Sequence, residues 1–253
     1  MHRVLVPPSA IQDDTITITD AGTLHHLHVL RVNVGDQVEC FDGHGHIYAG
    51  AIIQRTRHVL VVAVNRRVDE PPPSVQVTLA QALIKPERFE WVIQKATELG
   101  VAQIIPLLTS RTRVRAPARQ GTTPRLLRWQ RIAEAAATQC GRATIPIIEE
   151  PQPFEHVLKS LSRHYGLLFT LEEGQPLGEH LPGLKAITQA AIFIGPEGDF
   201  SSEEVALAKR HGIHTAHLGR LVLRSETAAL AVLAIIQHEL EPLSPPQPSS
   251  RGE

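Results

Sequence analysis

The chain has 253 residues, 42% of them hydrophobic and 20% charged, with a formal net charge of −1; that is length enough for two modest domains and a real core. The values describe an ordinary globular protein, argue against a globally basic nucleic-acid binder, and leave no apolar run near the roughly 18 residues of a membrane helix. Cys40 and Cys140 give no disulfide framework, and MHRVLVPPSA is too short and polar for a secretory signal, so a reducing cytoplasm is the expected location.

Residues 1–70 read as β-rich. Apolar or alternating runs fall at Thr15–Thr19, Gln37–Phe41, Ile47–Ile53 and Val59–Val64, separated by turn signals at Val34-Gly35-Asp36 and Asp42-Gly43-His44-Gly45. Short strands with frequent turns predict a small barrel. His25 to Arg31 form one short helical segment within it. His25, His26, His28, His44 and His46 invite a metal reading. It is rejected: neither the Cys/His spacing of a zinc site nor His-Glu-x-x-His on a helix is present. Pro71-Pro72-Pro73 reads as a linker over residues 71–74, because successive prolines cannot continue a strand ladder.

Residues 75–241 alternate strand and helix. Strands are expected at Val75–Leu83, Gln103–Leu108, Ile145–Ile148, Tyr165–Leu171 and Ala190–Ile194. A helix starts at Pro86 and ends at Gly100, with Phe89, Val92, Ile93, Ala96 and Leu99 on one apolar face. A second helix, capped by Thr123 with Pro124 in its first turn, runs to about Gln139, and a third lies near Phe154–His164. Such alternation implies a mostly parallel sheet. Between Leu99 and Ala133 there is no acidic residue, while Arg111, Arg113, Arg115, Arg119, Arg125, Arg128 and Arg131 all fall there. That local basic field suits a phosphate backbone, or else is a solvated arginine-rich face. Residues 242–253 read as a disordered tail.

The stretch from Ala190 to Ala231 organises the rest. Its first strand breaks at Gly195-Pro196-Glu197-Gly198, and Ser201 with Glu204 forms a capping box for a helix that Gly212 stops. A short strand at His214–Leu218 ends in Gly219. Arg224-Ser225-Glu226-Thr227 then opens an alanine- and leucine-rich helix to about Leu240. Three turns after three strand-like runs predict a single crevice, since loops at the carboxyl ends of neighbouring strands gather in an open α/β sheet. Gly195, Gly198 and Gly219 allow a ligand close to the backbone.

GPEGDFSSEE followed by LGRLVLRSETAAL resembles the carboxyl-terminal signature of the RsmE family, SPOUT-class methyltransferases of 16S ribosomal RNA. The resemblance extends through QALIKPERFEWVIQKATELGVAQIIPLLTSRTRVR, RWQRIAEAAATQCGR and HHLHVLRVNVGDQVECFDGHG, so it covers nearly the whole chain. It implies a trefoil-knotted, mostly parallel sheet with helices on both faces, behind an N-terminal PUA-like RNA-binding barrel. No periodicity argument points to the knot, for knots are nearly absent from proteins. The implied activity is methyl transfer from S-adenosylmethionine to N3 of one uridine in the small-subunit RNA.

On that resemblance, the donor is expected to meet Ile194, Gly195, Pro196 and Gly198 in the first turn and Leu218 and Gly219 in the second. Leu223 and Thr227 come from the third, and Leu168, Phe169 and Thr170 close a fourth side. Uracil N3 must lose a proton to become nucleophilic, so a base and a cation are sought. Arg224 is assigned to charge stabilisation or phosphate anchoring, and Glu226 to the base or to the helix start, where carboxylates are favoured anyway. Arg3, Arg31, Arg111, Arg113, Arg115 and Arg142 are candidate RNA contacts. Cys140 is expected as a buried small residue, because methylation at nitrogen needs no cysteine nucleophile. No metal is expected; a homodimer through the apolar faces of Ala228–Leu240 is. The chain departs from the family pattern at Asp199 (usually glycine), Leu221 (commonly arginine) and Thr138 (usually glutamate), and an acid at 199 is expected to narrow or recharge the donor pocket. Rival readings are a knotted ribose 2′-O methyltransferase and a non-catalytic RNA-binding ribosome-assembly protein.

Overall fold

The computed structural model describes residues 2–113, 124–172 and 174–240. The Thr123 cap, Arg115, Arg119 and the 242–253 tail lie outside them. The chain divides between Pro72 and Pro73 into two units, and Ala137–Ile145 returns to the first.

In the first unit, β1 (His2–Leu5), β2 (Ile11–Gln12), β3 (Thr15–Ile18), β4 (Gln37–Phe41), β5 (His46–Arg55) and β6 (Leu60–Asp69) form one sheet in the order β1-β4-β5-β6-β3-β2. β1 joins β4 in parallel and the other pairings are antiparallel. Register shifts in the β5–β6 pair at Ala49/Gly50 and Ile52/Gln54 mark bulges, which bend a long hairpin. Alternate residues Ile16, Ile18, Val38, Cys40, Leu60 and Val62 share one core with Leu27 of α1 (Ala21–Val29). This helix is longer than the expected segment because Asp20 caps it, its Oδ2 accepting from the Thr23 amide at 2.7 Å. Residues 137–145 are tied into this unit by Glu70, whose two carboxylate oxygens each accept from the Ala143 amide at 3.1 Å, and by Thr144 bridging to Gly43 and His44.

The second unit holds β7 (Gln76–Ala82), α2 (Pro86–Glu98), β8 (Gln103–Leu108), most of α3 (Pro124–Cys140), β9 (Ile147–Ile148), β10 (Gln152–Pro153) and α4 (Phe154–Ser160). It continues with β11 (Tyr165–Phe169), β12 (Gln175–Pro176), α5 (Leu177–Lys185), β13 (Gln189–Ile194), α6 (Ser202–Arg210), β14 (His214–His217) and α7 (Ser225–Leu240). All its strand pairings are parallel, in the order β10-β8-β7-β13-β11-β14-β12 with β9 beside β8. Ala80, Ala82, Leu107, Leu168, Ala191 and Phe193 bury one face of the sheet with α4 and α6. The alternate residues Leu79, Gln81, Ile192 and Ile194 are buried too, and α7 packs on β13 and α2. A parallel sheet needs that two-sided cover. Full burial of a side chain such as Phe193 is worth about 1.5–3 kcal/mol. α5 was not foreseen: it carries Pro182 inside it, and an internal proline argues against a helix. No described helix is long and apolar enough to cross a membrane.

Candidate active site

The strand order decides where the loops meet. β13 lies between β7 and β11, and β11 between β13 and β14, so the carboxyl ends of β11, β13 and β14 are neighbours although far apart in sequence. The segments that leave them enclose a cavity of about 730 Å³. Its walls are Phe169 to Glu172 after β11, Gly195 to Glu197 with Asp199 after β13, and Leu218 to Arg224 after β14.

Of the residues expected to hold the donor, Phe169, Thr170, Ile194, Gly195, Pro196, Leu218, Gly219 and Leu223 line this cavity. Three do not. Leu168 is fully buried in the core with Phe193 and Phe200, because alternation on β11 turns it away from the neighbours that end at the cavity. Gly198 offers its carbonyl to Arg111 Nη1 at 2.7 Å. Thr227 is exposed on the first turn of α7, while Ser225 and Ala228 are the residues of that helix that reach the wall.

The loop after β13 is closely braced. A Cβ on Gly195 would lie 3.2 Å from the Phe200 amide nitrogen, so any larger residue would have to push the returning chain back by a few tenths of an ångström. Ser225 Oγ donates to the Gly195 carbonyl at 2.5 Å and accepts from Gln81 Nε2 at 2.8 Å. The capping box on α6 is complete: Ser201 Oγ accepts from the Glu204 amide at 3.3 Å and Glu204 Oε2 from the Ser201 amide at 2.9 Å. Glu204 Oε1 also accepts from the Ser110 amide at 2.8 Å, fixing the start of α6 to the segment that leaves β8. By contrast, Gly219 has φ +120° with open space where a Cβ would stand, and Leu221 and Val222 are 74% and 73% exposed.

Arg224 is exposed and lines the cavity. Glu226 is buried and lies off the lining; its Oε1 stands 3.6 Å from Arg88 Nη1, which is also 3.7 Å from Glu197 Oε1. The carboxylate at the start of α7 is thus paired with a cation and helped by the helix dipole. Sequence reasoning missed Arg88 and Gln81. A polar residue in the apolar run Val75–Leu83 was a signal for Gln81, whose side chain is fully buried. Asp199, where an acid is expected to narrow or recharge the pocket, lines the cavity, and its carboxylate accepts hydrogen bonds from Thr170, Leu171 and Phe200.

The expected RNA-contact arginines have diverse surroundings. Arg31 and Arg113 are exposed. Arg3 pairs with Glu39 Oε1 at 2.6 Å and lies over the Phe41 ring. Arg142 donates to Thr144 Oγ1 at 3.0 Å and is partly buried, which makes it a brace of the 137–145 segment rather than a free surface cation. Arg111 holds Gly198. Cys140, expected to be buried, is exposed, since the last turn of α3 turns it outward. Among the described residues, no three His, Cys, Asp or Glu groups are placed to hold a metal ion.

A parallel sheet whose adjacent strand ends open on one braced and one open loop is the arrangement of a ligand-binding α/β enzyme. Residues 70–237 match the model of the RNA methyltransferase domain, and residues 18–64 that of the RNA methyltransferase PUA domain. The chain therefore belongs to the RNA methyltransferases.

Within them it belongs to the family of ribosomal RNA small subunit methyltransferase E. It is 34% identical over 246 residues to the protein of that name from Synechocystis sp., covering 95% of this chain and 78% of that one. The Bacillus subtilis relative is 31% identical over 239 residues, covering 90% and 91%. The solved structure of ribosomal RNA small subunit methyltransferase E from Neisseria gonorrhoeae, bound to S-adenosyl methionine, superposes with a TM-score of 0.83 at 28% identity, covering 94% of this chain and 97% of that one. A Legionella pneumophila methyltransferase solved with bound SAM gives 0.82 at 29% identity, covering 93% and 96%.

Proposed function

We propose that this protein transfers the methyl group of S-adenosylmethionine to N3 of one uridine in the RNA of the small ribosomal subunit. The observation that carries the proposal is the convergence of the β11, β13 and β14 loops on one cavity. Its volume of about 730 Å³ lies within the range of cofactor sites. Ile194, Pro196, Leu218 and Leu223 supply apolar sides for a purine, and the backbone of Gly195 and Gly219 can be approached without a Cβ in the way. Glu172, Glu197 and Asp199 on the same walls suit a donor that carries a sulfonium and an ammonium. The residues present therefore fit the group.

When bound, the donor supplies its own activated leaving group, so the protein's task is position and charge. Arg224, exposed on the cavity wall, offsets the negative charge that spreads onto the uracil oxygens. Of the carboxylates on the cavity walls, Glu197, which stands 3.7 Å from Arg88, is assigned to accepting the N3 proton. Glu226 is assigned to fixing the start of α7 with Arg88; Glu226→Gln then keeps near-normal single-turnover methylation with donor bound, and loss of that turnover would return the base role to it.

RNA binding is assigned to exposed Arg31 and Arg113. It is supported by a concavity on the first unit lined by His25, His28, Arg55, Arg57 and His58 with no carboxylate. Arg55 is held in place there by bonds to the Val32 carbonyl, Asn33 Oδ1 and His28 Nδ1. The knotted threading of the last segment is part of the same reading and is supported by the family to which the chain belongs. So is a homodimer through α7. Val232, Leu233 and Ile236 face the protomer core, while Ile235 remains 38% exposed on the other side. Light scattering should give twice the chain mass at micromolar concentration; a monomer refutes the dimer.

The decisive experiment maps methylated nucleosides by mass in small-subunit RNA from cells lacking the gene. One 3-methyluridine should disappear and return on complementation. An unchanged map, or loss of a 2′-O-methyl group instead, refutes the reaction proposed.

A further inference from the structure

Asp199 holds a left-handed backbone, φ 61°, in the middle of the loop that follows β13. Few side chains occur there, and aspartate is one that tolerates it. Its carboxylate takes three donors. Oδ1 accepts from the Phe200 amide at 2.7 Å. Oδ2 accepts from the Leu171 amide and from Thr170 Oγ1, both at 2.9 Å. The first donor belongs to its own loop, and the other two belong to the segment leaving β11. Thr170, Leu171 and Asp199 all line the cavity. The backbone adds a further closure, the Asp199 amide donating to the Pro196 carbonyl at 3.0 Å. Glycine would satisfy the backbone angle more easily, yet it would leave the two loops untied.

We propose that Asp199 is a positioning residue for donor binding: its carboxylate fastens the β11 and β13 loops into one wall at the spacing the methyl donor requires. The proposal rests on reading the cavity as the donor site. It concerns only the grip on the donor, since no atom of Asp199 takes part in methyl transfer.

The test titrates the full-length protein with S-adenosylhomocysteine by calorimetry and records Tm for each variant. Asp199→Gly relieves the left-handed angle while removing the tie, so Tm should stay within about 2 °C of wild type while affinity falls on the order of tenfold. Asp199→Asn tolerates the same backbone and keeps an accepting oxygen, so it should recover most of the loss. Thr170→Val removes one donor and should cost about threefold. Combined with Asp199→Gly it should cost no more than the glycine change alone, because the shared contact is already gone. In methylation assays KM for the donor should rise in the glycine variant while kcat holds within about twofold. Wild-type affinity in Asp199→Gly, a loss that asparagine does not relieve, or a loss that simply follows Tm overturns the proposal. A wild-type protein that takes up no S-adenosylhomocysteine overturns the donor-site reading, and the role of Asp199 with it.

Discussion

The loops after β13 and after β14 border the same cavity and are built in opposite ways. The first is fastened from four directions, by Ser225 to Gly195, Arg111 to Gly198, Asp199 to Thr170 and Leu171, and Glu204 to Ser201. The second places Gly219 in a backbone region that side chains rarely adopt and exposes Leu221 and Val222. Its bond from the Gly219 amide to His217 Nδ1, at 3.1 Å, stays within one turn. A wall held by many hydrogen bonds to neighbouring segments is shaped before a ligand arrives, while a wall with exposed apolar side chains and few such bonds opens at low cost. The site therefore pairs a fixed wall with an adaptable one.

The largest effect that would sharpen this contrast is expected from Gly219→Val. Its φ of +120° is nearly closed to a β-branched residue, so holding the loop costs about 1–3 kcal/mol. Affinity for S-adenosylhomocysteine should fall on the order of tenfold to hundredfold by calorimetry. Next comes Ser225→Ala, which leaves the Gly195 carbonyl without its donor in buried surroundings and Gln81 Nε2 with the Ala82 carbonyl as its remaining acceptor. The cost should be about 1–3 kcal/mol, seen as a Tm lowered by several degrees together with weaker binding. If Ser225→Ala weakened binding and left Tm untouched, the braced loop would not be structural in the sense argued. Smaller again is the change in hydrogen exchange. The Leu171, Asp199 and Phe200 amides should be protected with and without ligand, whereas amides 220–223 should slow only when ligand is present. Equal protection in the two loops of the free protein would erase the distinction. Smallest is Leu221→Ser with Val222→Ser. These side chains are already in water, so Tm should move by no more than a surface substitution does, within about 0.5 kcal/mol of stability.

Much of this architecture is legible in the sequence because its signals are local. The strands at Gln37–Phe41 and Gln103–Leu108 coincide with their apolar runs, and the Ser201–Glu204 capping box is present with both of its bonds. The three turns, too, can be read from glycine, proline and the polar residues around them. What the sequence hid is non-local. Nothing near Gln81 announces that its amide will meet Ser225, 144 positions later. No pattern in Gly141-Arg142-Ala143-Thr144 says that it rejoins the β-rich unit through Glu70. α5 was obscured by Pro182, which occupies its sixth position. Leu168, expected on the cavity's fourth side with Phe169 and Thr170, lies in the core instead. Alternation along a strand sends adjacent side chains to opposite faces, and knowing which face meets the cavity required the sheet order. Asp199 was noticed as a departure, but its meaning depended on Thr170 and Leu171 lying opposite it.

The two cysteines of the chain differ as sharply as the two loops. Burial, with the Glu39 charge beside it, pushes the Cys40 thiol up to about 12, so almost none of it is thiolate at neutral pH, and alkylating reagents act on the thiolate. Cys140 is open to solvent. A maleimide dye should therefore couple to the native chain once and to the denatured chain twice. The wild-type protein thus comes with a built-in attachment point for a fluorophore or spin label.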